Sequence, residues 1–321
     1  MFIKKIIKKI DNYQEAKINQ CFKEVLGDLR ISFVDIGAAG NIHPRWKVIS
    51  NFINYYGFEP DKRSYDLLLM NKNDCFTYKI FNKAVWETEG EIDINLCYKP
   101  WVSSYFLPNF NILNKFSDKE RFEVLKKEKI TTTKLDKFKF DNENFIKIDI
   151  QGGELSVLRG ASSTLKNCLG LELEIEFLEL YKSQPLFGEV CRYLNDNDFE
   201  FIDFISLNRW ERSEYKGFGQ STFGDALFLR TPEFIIKNFK NDEDLKRKYI
   251  AICLLYNRFD LVKVVIDLDR INNVSKVSKF SDLEKAYSRI EKKHIIVRFI
   301  SKYMNKIIRL FDKNSSLHVF Y

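Results

Sequence analysis

The sequence FVDIGAAG at Phe33–Gly40 joins an apolar run to a carboxylate and then to a group of small residues. A buried parallel strand followed by a tight turn has this pattern, because its carboxyl end lies close to a bound molecule. The next apolar run ends in GFEP at Gly57–Pro60, about twenty residues on, where a doubly wound sheet places the acid that binds ribose hydroxyls. An ordinary turn between a strand and a helix is the alternative interpretation of FVDIGAAG.

Strand-like and helix-like segments alternate through the middle of the chain, which predicts an α/β fold with a mostly parallel, Rossmann-like sheet. Further strands are expected at 78–85, 91–96 (an edge strand), 145–150, 171–177, 199–205 and 225–230. Helices are expected at 155–165, 185–194, 245–256, 260–268, 282–290 and 294–311. Residues 98–130 are less regular and are interpreted as a lid or substrate loop.

The two ends of the chain differ from this middle part. Residues 1–29 have apolar positions at helical spacing, and the pattern from Pro232 onward is wholly helical. We therefore predict three parts: an N-terminal helical segment at 1–30, an α/β domain at 31–231 and an all-helical C-terminal domain at 232–321.

The totals exclude several classes of protein. The chain has 321 residues, is 45% hydrophobic and 30% charged, and contains no apolar run long enough to span a bilayer. Its first ten residues mix lysines with isoleucines, unlike a secretory signal. The 6 cysteines are scattered without a C-x-x-C pair, which argues against a disulfide framework or a zinc site and favours a cytoplasmic protein. The net charge of +7 resides at the two ends, so the middle does not resemble a nucleic-acid groove.

Several motifs in the middle part carry a family resemblance. They are VDIGA at Val34–Ala38, GFEP at Gly57–Pro60, KIDIQGGE at Lys147–Glu154, VLRGA at Val157–Ala161, EIEF at Glu174–Phe177, YKSQPLF at Tyr181–Phe187 and DALF at Asp225–Phe228. With these motifs in this order over roughly 31–230, the chain resembles the FkbM-type methyltransferases, which depend on S-adenosylmethionine. The chain departs from the family pattern in NIH at 41–43.

The resemblance implies a binding site for S-adenosylmethionine at the carboxyl edge of the sheet. The backbone N–H groups of Gly37–Gly40 would meet the methionine end of this cofactor, and Glu59 would accept from its ribose hydroxyls. Clustered carboxylates would also attract a sulfonium cation. The implied cofactor-binding residues are Asp35, Gly37, Ala38, Gly40, Glu59, Asn82, Ala84, Asp149 and Gln151.

The same resemblance implies methyl transfer to an oxygen, with a hydroxyl of a sugar or glycan as the expected acceptor. Asp149 is our first choice as the base or hydroxyl-orienting group, and a cofactor contact alone is its alternative role. Glu176, Glu174 and Glu154 could share the catalytic role, or hold a divalent cation that the sequence does not otherwise support. A carboxylate bound to a nearby lysine is the structural alternative for Glu174.

Two other functional classes stay open on the sequence. One is a degenerate methyltransferase-like domain that serves as a binding or scaffold protein. The other is a nicotinamide-dependent oxidoreductase, which is disfavoured because the glycine turn lacks a full G-x-G-x-x-G.

Three further features have a structural interpretation beside a functional one. His43 is expected to be a loop or solvent-facing residue rather than a base. Trp101 and Tyr105 could stack on a sugar ring, with core packing as the equal alternative. The segments Phe2–Ile10 and His294–Phe311 set Ile and Phe against Lys and Arg; we favour ordinary packing and keep docking on the inner face of a membrane as the alternative.

Overall fold

The computed structural model describes residues 19–40, 42–70, 74–140 and 143–271. It divides into two compact units, Leu29–Phe234 and the combination of Met1–Asp28 with Ile235–Tyr321. The expected helices at 282–290 and 294–311, and the segment Phe2–Ile10, lie outside the described residues. The division into three parts at 30 and 231 stays a prediction.

Strands and helices follow one another through the described residues. The strands are β1 (Ile31–Ile36), β2 (Ile53–Phe58), β3 (Thr77–Phe81), β4 (Ala84–Val85), β5 (Gly90–Cys97), β6 (Val124–Thr133), β7 (Glu143–Ile148), β8 (Gly170–Glu176), β9 (Phe199–Trp210) and β10 (Gln220–Arg230). The helices are α1 (19–26), α2 (Pro44–Lys47), α3 (Lys62–Met70), α4 (Phe110–Leu113), α5 (Glu154–Arg159), α6 (Phe187–Asn195), α7 (Pro232–Asn238), α8 (Glu243–Leu255) and α9 (Phe259–Ile271).

The larger sheet has seven strands in the order β3-β2-β1-β7-β8-β10-β9. The first five are parallel to their neighbours, whereas β10 is antiparallel to β8 and to β9. Every residue of β1, β2 and β8 is buried, as expected for central strands covered on both faces. The predicted mixed α/β fold with a mainly parallel sheet is confirmed. In this order β1 lies between β2 and β7, so the acids that end these strands meet at one edge.

The smaller sheet has three strands in the order β4-β6-β5 and is a difference from the prediction. The predicted strand at 78–85 is divided, because β3 ends at Phe81 and Ala84–Val85 pairs with β6 instead. The predicted edge strand at 91–96 belongs to this smaller sheet as β5. The expectation of irregular chain at 98–130 was wrong for its last part, where β6 begins at Val124. Most of β6 is exposed, so its many lysines conceal the apolar signal of a strand.

The predicted helix at 155–165 is shorter than expected. Helix α5 ends at Arg159, and a separate 3-10 turn follows at Thr164–Lys166. The Asp136 carboxylate accepts hydrogen bonds from the N–H groups of Ser163 (2.9 Å) and Thr164 (2.8 Å). These bonds satisfy the free N–H donors at the start of the 3-10 turn, so a new helical turn begins there and α5 does not continue into it.

The compact unit that contains α1 and α8–α9 has a long-range bond and a buried ion pair. Arg247 on α8 donates through Nε to the Val25 carbonyl at 2.6 Å. Lys246 and Asp269 are each 1% exposed, and Lys246 Nζ lies 2.7 Å from Asp269 Oδ1. Lys246 also donates to the Lys240 carbonyl at 3.1 Å, so its charge is matched and hydrogen-bonded.

Candidate active site

The glycine turn after β1 lies directly against the end of β7. Gly37 has a φ of +81°, and a Cβ there would lie 2.0 Å from the Asp149 carbonyl oxygen. The N–H groups of Gly37 and Ala38 donate to the Phe58 carbonyl at 3.0 and 3.1 Å. These two donors are therefore engaged with β2 rather than directed at a ligand, contrary to the expectation for the whole turn. A small residue at Gly37 is needed for the close approach of two strand ends.

Glu59 is a buried carboxylate at the end of β2, with 5% of its surface exposed. Its Oε1 accepts from the N–H of Asp61 at 2.8 Å. Burial raises the pKa of Glu59 to about 7, and the charged neighbours that affect it, Asp61 and Asp35, are both acidic. A buried carboxylate with acidic neighbours is available to accept hydrogen bonds from a ligand.

Asn82 and Ala84 have different positions around this carboxylate. The Asn82 side chain donates to the Glu59 carbonyl at 2.9 Å and to the Pro60 carbonyl at 3.0 Å. It therefore fixes the backbone at the end of β2. Ala84 is buried and pairs with Thr132 in the smaller sheet.

A row of alternating charges crosses the larger sheet one layer below its edge. Asp35 pairs in register with Lys147, and Lys147 pairs with Glu172. Lys147 Nζ lies 3.9 Å from Asp35 Oδ1, and Arg45 NH1 lies 3.0 Å from Glu172 Oε2. Burial disfavours the charged form of Lys147, but Asp149 and Asp35 outweigh it and raise the pKa of Lys147. Opposite charges in adjacent strands therefore stabilise one another in this row.

Asp35 keeps one oxygen without a hydrogen bond in the described structure. Tyr55 donates its hydroxyl to Asp35 Oδ2 at 2.8 Å, whereas Oδ1 is buried and has no hydrogen-bond partner. Burial raises the pKa of Asp35, against the opposing effects of Lys147 and Tyr55. A buried acceptor of this kind fits a ligand donor such as an ammonium group.

Four acids form a cluster at the ends of β7 and β8, which we call the acid cluster: Asp149, Glu154, Glu174 and Glu176. Three of them are buried, with 2% of Glu154, 9% of Glu174 and 3% of Glu176 exposed. The side chain of Asp149 is 36% exposed, and Lys147 donates to its Oδ2 at 3.2 Å. Asp149 is thus the acid of this cluster that a second substrate can approach.

The buried members of the acid cluster disfavour one another's charges. Burial raises the pKa of Glu174 and of Glu176 well above the usual range, and nearby acids add to both shifts. Burial likewise raises the pKa of Glu154 to about 7, although the N–H of Ile150 donates to its Oε1 at 2.9 Å. Such a cluster is stabilised either by bound protons or by a cation placed beside it.

Gln151 connects two members of the acid cluster. Its Nε2 donates to Glu174 Oε2 and lies 3.4 Å from Asp149 Oδ1. Its φ is +60°, an uncommon backbone conformation for a residue other than glycine. The hydroxyl of Tyr181 lies 3.2 Å from Gln151 Oε1, and Ser104 Oγ donates to the Gln151 carbonyl at 2.7 Å. Side chain and backbone of Gln151 are therefore both held in place.

Sequence reasoning missed Lys147, Tyr55, Tyr181 and Ser104. A signal for Lys147 was available, because period-two alternation in β7 places it on the same face as Asp149. The others act across long sequence separations: Tyr181 and Gln151 are 30 residues apart, and Ser104 and Gln151 are 47. No local pattern marks such contacts.

The three residues with structural interpretations have distinct surroundings. His43 is exposed and accepts the N–H of Arg45 at 3.2 Å through Nδ1, as the N-cap of α2. Partial burial and Arg45 lower the pKa of His43. Tyr105 packs on Trp86 with ring centroids 4.5 Å apart, whereas Trp101 is 65% exposed.

The described residues contain neither a metal-binding cluster nor a membrane-spanning helix. Within 19–40, 42–70, 74–140 and 143–271, no group of three His, Cys, Asp or Glu side chains is arranged to hold a metal ion. In the same ranges, the helices are too short or too polar to cross a bilayer.

Comparison with known proteins identifies a domain. The family described as "Methyltransferase FkbM domain" matches residues 43–201, a range that contains Glu59 and the whole acid cluster and begins after Asp35 and Gly37. Comparison with curated proteins finds no match.

The solved structures that match are distant. The FkbM methyltransferase of Methylobacillus flagellatus is 17% identical with a TM-score of 0.36, over 63% of this chain and 45% of that one. TrmK of M. capricolum, bound to S-adenosyl-homocysteine, is 11% identical with a TM-score of 0.29, over 84% and 96%. An rRNA methylase from Streptococcus thermophilus is 11% identical with a TM-score of 0.32, over 66% and 93%. The present chain thus spans less than half of the Methylobacillus protein.

Proposed function

We propose that this chain, whose residues 43–201 match the FkbM methyltransferase domain, transfers a methyl group from S-adenosylmethionine to a hydroxyl group of a sugar or glycan. The observation that supports this most directly is the exposure of Asp149 beside three buried acids. One carboxylate is open to an acceptor, while the others create a negative environment that a cationic methyl donor would neutralise.

The residues present fit S-adenosylmethionine on two counts. Glu59 offers a buried carboxylate with acidic neighbours for the ribose hydroxyls. Asp35 offers a buried oxygen without a hydrogen bond in the described structure, suited to an ammonium donor. When bound, the cofactor supplies a methyl group on a positively charged sulfur. Gly37, Ala38, Gly40, Asn82, Ala84 and Gln151 would form the surrounding wall.

Asp149 would receive the proton of the acceptor hydroxyl as the new carbon–oxygen bond forms and the carbon–sulfur bond breaks. Lys147 and Gln151 hold its carboxylate from two sides and so fix the direction of the accepting oxygen. A carboxylate is a weak base toward a sugar hydroxyl, so positioning would supply much of the acceleration. Glu174 and Glu176, buried behind Asp149, would help by their charge or by holding a proton.

Calorimetry with S-adenosylhomocysteine tests the cofactor. We expect micromolar affinity that Glu59→Ala abolishes and that Glu200→Ala, an exposed glutamate on β9, leaves unchanged. Heat with a nicotinamide dinucleotide instead would favour the oxidoreductase. Heat with neither would exclude the proposed reaction.

A second variant separates catalysis from binding. Asp149→Asn should retain its affinity for S-adenosylhomocysteine within about threefold and lose about 100-fold or more in turnover, because general-base catalysis contributes on this scale. Full turnover in Asp149→Asn would exclude Asp149 as the base. Cofactor binding without turnover on any glycan in the native protein would favour a degenerate binding domain.

A further inference from the structure

Two large aromatic side chains lie exposed around a short turn that precedes the acid cluster in the chain. Tyr98, which is 56% exposed, precedes a 3-10 turn at Pro100–Val102, and Trp101, which is 65% exposed, lies within this turn. Core packing, one of the two interpretations of Trp101, is therefore wrong for this residue. Exposed aromatic rings of this size leave apolar surface in water, which is typical of a binding surface.

Hydrogen bonds of the backbone fix the turn that carries the two rings. The N–H of Tyr98 donates to the Glu123 carbonyl at 2.8 Å, and the N–H of Lys99 donates to the Arg121 carbonyl at 3.1 Å. After the turn, Ser103 Oγ accepts the N–H of Cys97 at 3.0 Å. These bonds connect the residues before the turn to Arg121 and Glu123, and the residue after it to Cys97. The backbone that carries the rings is therefore fixed and need not be ordered when a ligand binds.

A lysine places a positive charge beside both rings. Lys99 Nζ lies 5.1 Å from the centroid of the Tyr98 ring and 5.6 Å from that of Trp101. Aromatic faces pack against the C–H faces of pyranose rings, and an ammonium group binds a carboxylate. The combination of two rings and one cation suits a sugar that carries an acid. We call Tyr98, Lys99 and Trp101 the aromatic platform.

The aromatic platform is connected to the active site by a short chain of contacts. Val102, which follows Trp101, is buried, and its carbonyl accepts the Tyr181 hydroxyl at 2.8 Å. The same hydroxyl lies 3.2 Å from Gln151 Oε1, and Gln151 donates to Glu174. The turn that carries the platform is thus hydrogen-bonded, through Tyr181, to a residue beside the acid cluster.

We propose that the aromatic platform is a binding subsite for an acidic oligosaccharide, with uronic acid units stacked on Trp101 and Tyr98 and a carboxylate on Lys99. The inference rests on the proposed function, because it names the class of glycan that would be methylated. The sugar units that bind the aromatic platform would differ from the unit that is methylated.

The charges on the adjacent sheet favour a sugar over a nucleic acid. Lys126 pairs with Glu128, and Lys129 pairs with Glu91 at 3.9 Å. Paired lysines do not form the continuous positive track that a phosphate backbone requires. A local cation between two rings meets a single acidic unit instead.

The test is binding of a galacturonic acid tetrasaccharide, with maltotetraose as the neutral counterpart, measured by calorimetry on the full chain. We expect the acidic sugar to bind and Trp101→Ala to weaken it about tenfold, since one lost stacking contact is of this order. Lys99→Gln should remove the preference for the acidic sugar. Tyr215→Ala, which removes another exposed ring (74% exposed), should leave the affinity unchanged.

Three outcomes would overturn the subsite: no binding of the acidic tetrasaccharide, equal affinity in the native protein and Trp101→Ala, or displacement by a single-stranded oligonucleotide at lower concentration. Binding of S-adenosylhomocysteine is measured in the same samples. If S-adenosylhomocysteine does not bind, the proposed methyl transfer is excluded, while sugar binding that depends on Trp101 would still support the platform. Its presence without sugar binding would exclude the platform alone.

Discussion

Charge is buried in two regions of this molecule in opposite ways. Between α8 and α9, Lys246 and Asp269 form a matched pair, and both side chains are 1% exposed. At the ends of β7 and β8, the charged neighbours that raise the pKa of Glu174 are all acids. The matched pair is complete without a ligand, whereas the acid cluster is stabilised by a cation or by protons. Balanced buried charge therefore marks structure here, and unbalanced buried charge marks a site.

The largest effect is expected when one partner of the Lys246–Asp269 ion pair is removed. Lys246→Met removes the ammonium group 2.7 Å from the buried Asp269 carboxylate, and we expect a loss of about 4 kcal/mol in unfolding free energy, measured by urea denaturation. The double variant Lys246→Met with Asp269→Leu should recover most of this loss, because no charge is then left buried. Equal losses in the single and double variants would contradict the interpretation of the pair as balanced.

The next effect concerns the turn that brings the acids together. Gly37→Ala places a Cβ 2.0 Å from the Asp149 carbonyl at a φ of +81°. We expect about 3 kcal/mol of destabilisation and a loss of affinity for S-adenosylhomocysteine, because the strand ends must move apart. For the unfolding free energy, Gly40→Ala is the matched control: its φ is +110°, and no atom beyond its chain neighbours lies within 4 Å of its Cβ. It should cost about 1 kcal/mol through backbone strain alone. Equal losses of unfolding free energy in Gly37→Ala and Gly40→Ala would show that the close approach at Gly37 is unimportant.

A pH titration sharpens the contrast at Glu59. Burial raises the pKa of Glu59 from its ordinary value of 4.5 to about 7, so between these values the folded protein binds more protons than the unfolded chain. The unfolding free energy of the ligand-free protein should therefore fall as pH rises through this window.

Affinity for S-adenosylhomocysteine should change in the opposite direction, since the ionised carboxylate is the better acceptor of ribose hydroxyls. We expect it to increase about tenfold from about pH 6 to pH 8, measured by calorimetry. Glu59→Gln should remove this dependence, and Glu154→Gln should keep it. A pH-independent affinity in the native protein would contradict the role of Glu59.

The smallest effect has the opposite sign to that of Lys246→Met. Glu174→Gln removes one charge from the acid cluster and keeps an oxygen that can accept from Gln151. Because the pKa of Glu174 is raised, its ionisation at high pH costs stability. We expect the variant to gain about 1 kcal/mol at pH 8 and to equal the native protein near pH 5, measured by urea denaturation. A loss at pH 8 would mean that the charge of Glu174 is already balanced.

The features of the fold and of the site that could be predicted are those with a local pattern in the sequence. The glycine turn, Glu59 and the acids of β7 and β8 end apolar runs, and a parallel sheet brings such ends to one edge. The smaller sheet was missed because β6 is exposed and rich in lysine. The matched pair Lys246–Asp269 spans 23 residues, and only the packing of α8 on α9 brings it together. Chemistry at strand ends was therefore predictable, whereas partners supplied across the fold were not.

The bond from Arg247 to the Val25 carbonyl also has a consequence in time. These residues are 222 positions apart, so the first described helix cannot meet its partner until most of the chain has left the ribosome. At common rates of synthesis, this interval lasts roughly 10 to 40 seconds. Throughout it, the apolar face of α1, with Phe22, Val25 and Leu26, lacks its final neighbours. Nascent chains of this protein should thus bind chaperones at α1 and release them only after α8 has been synthesised.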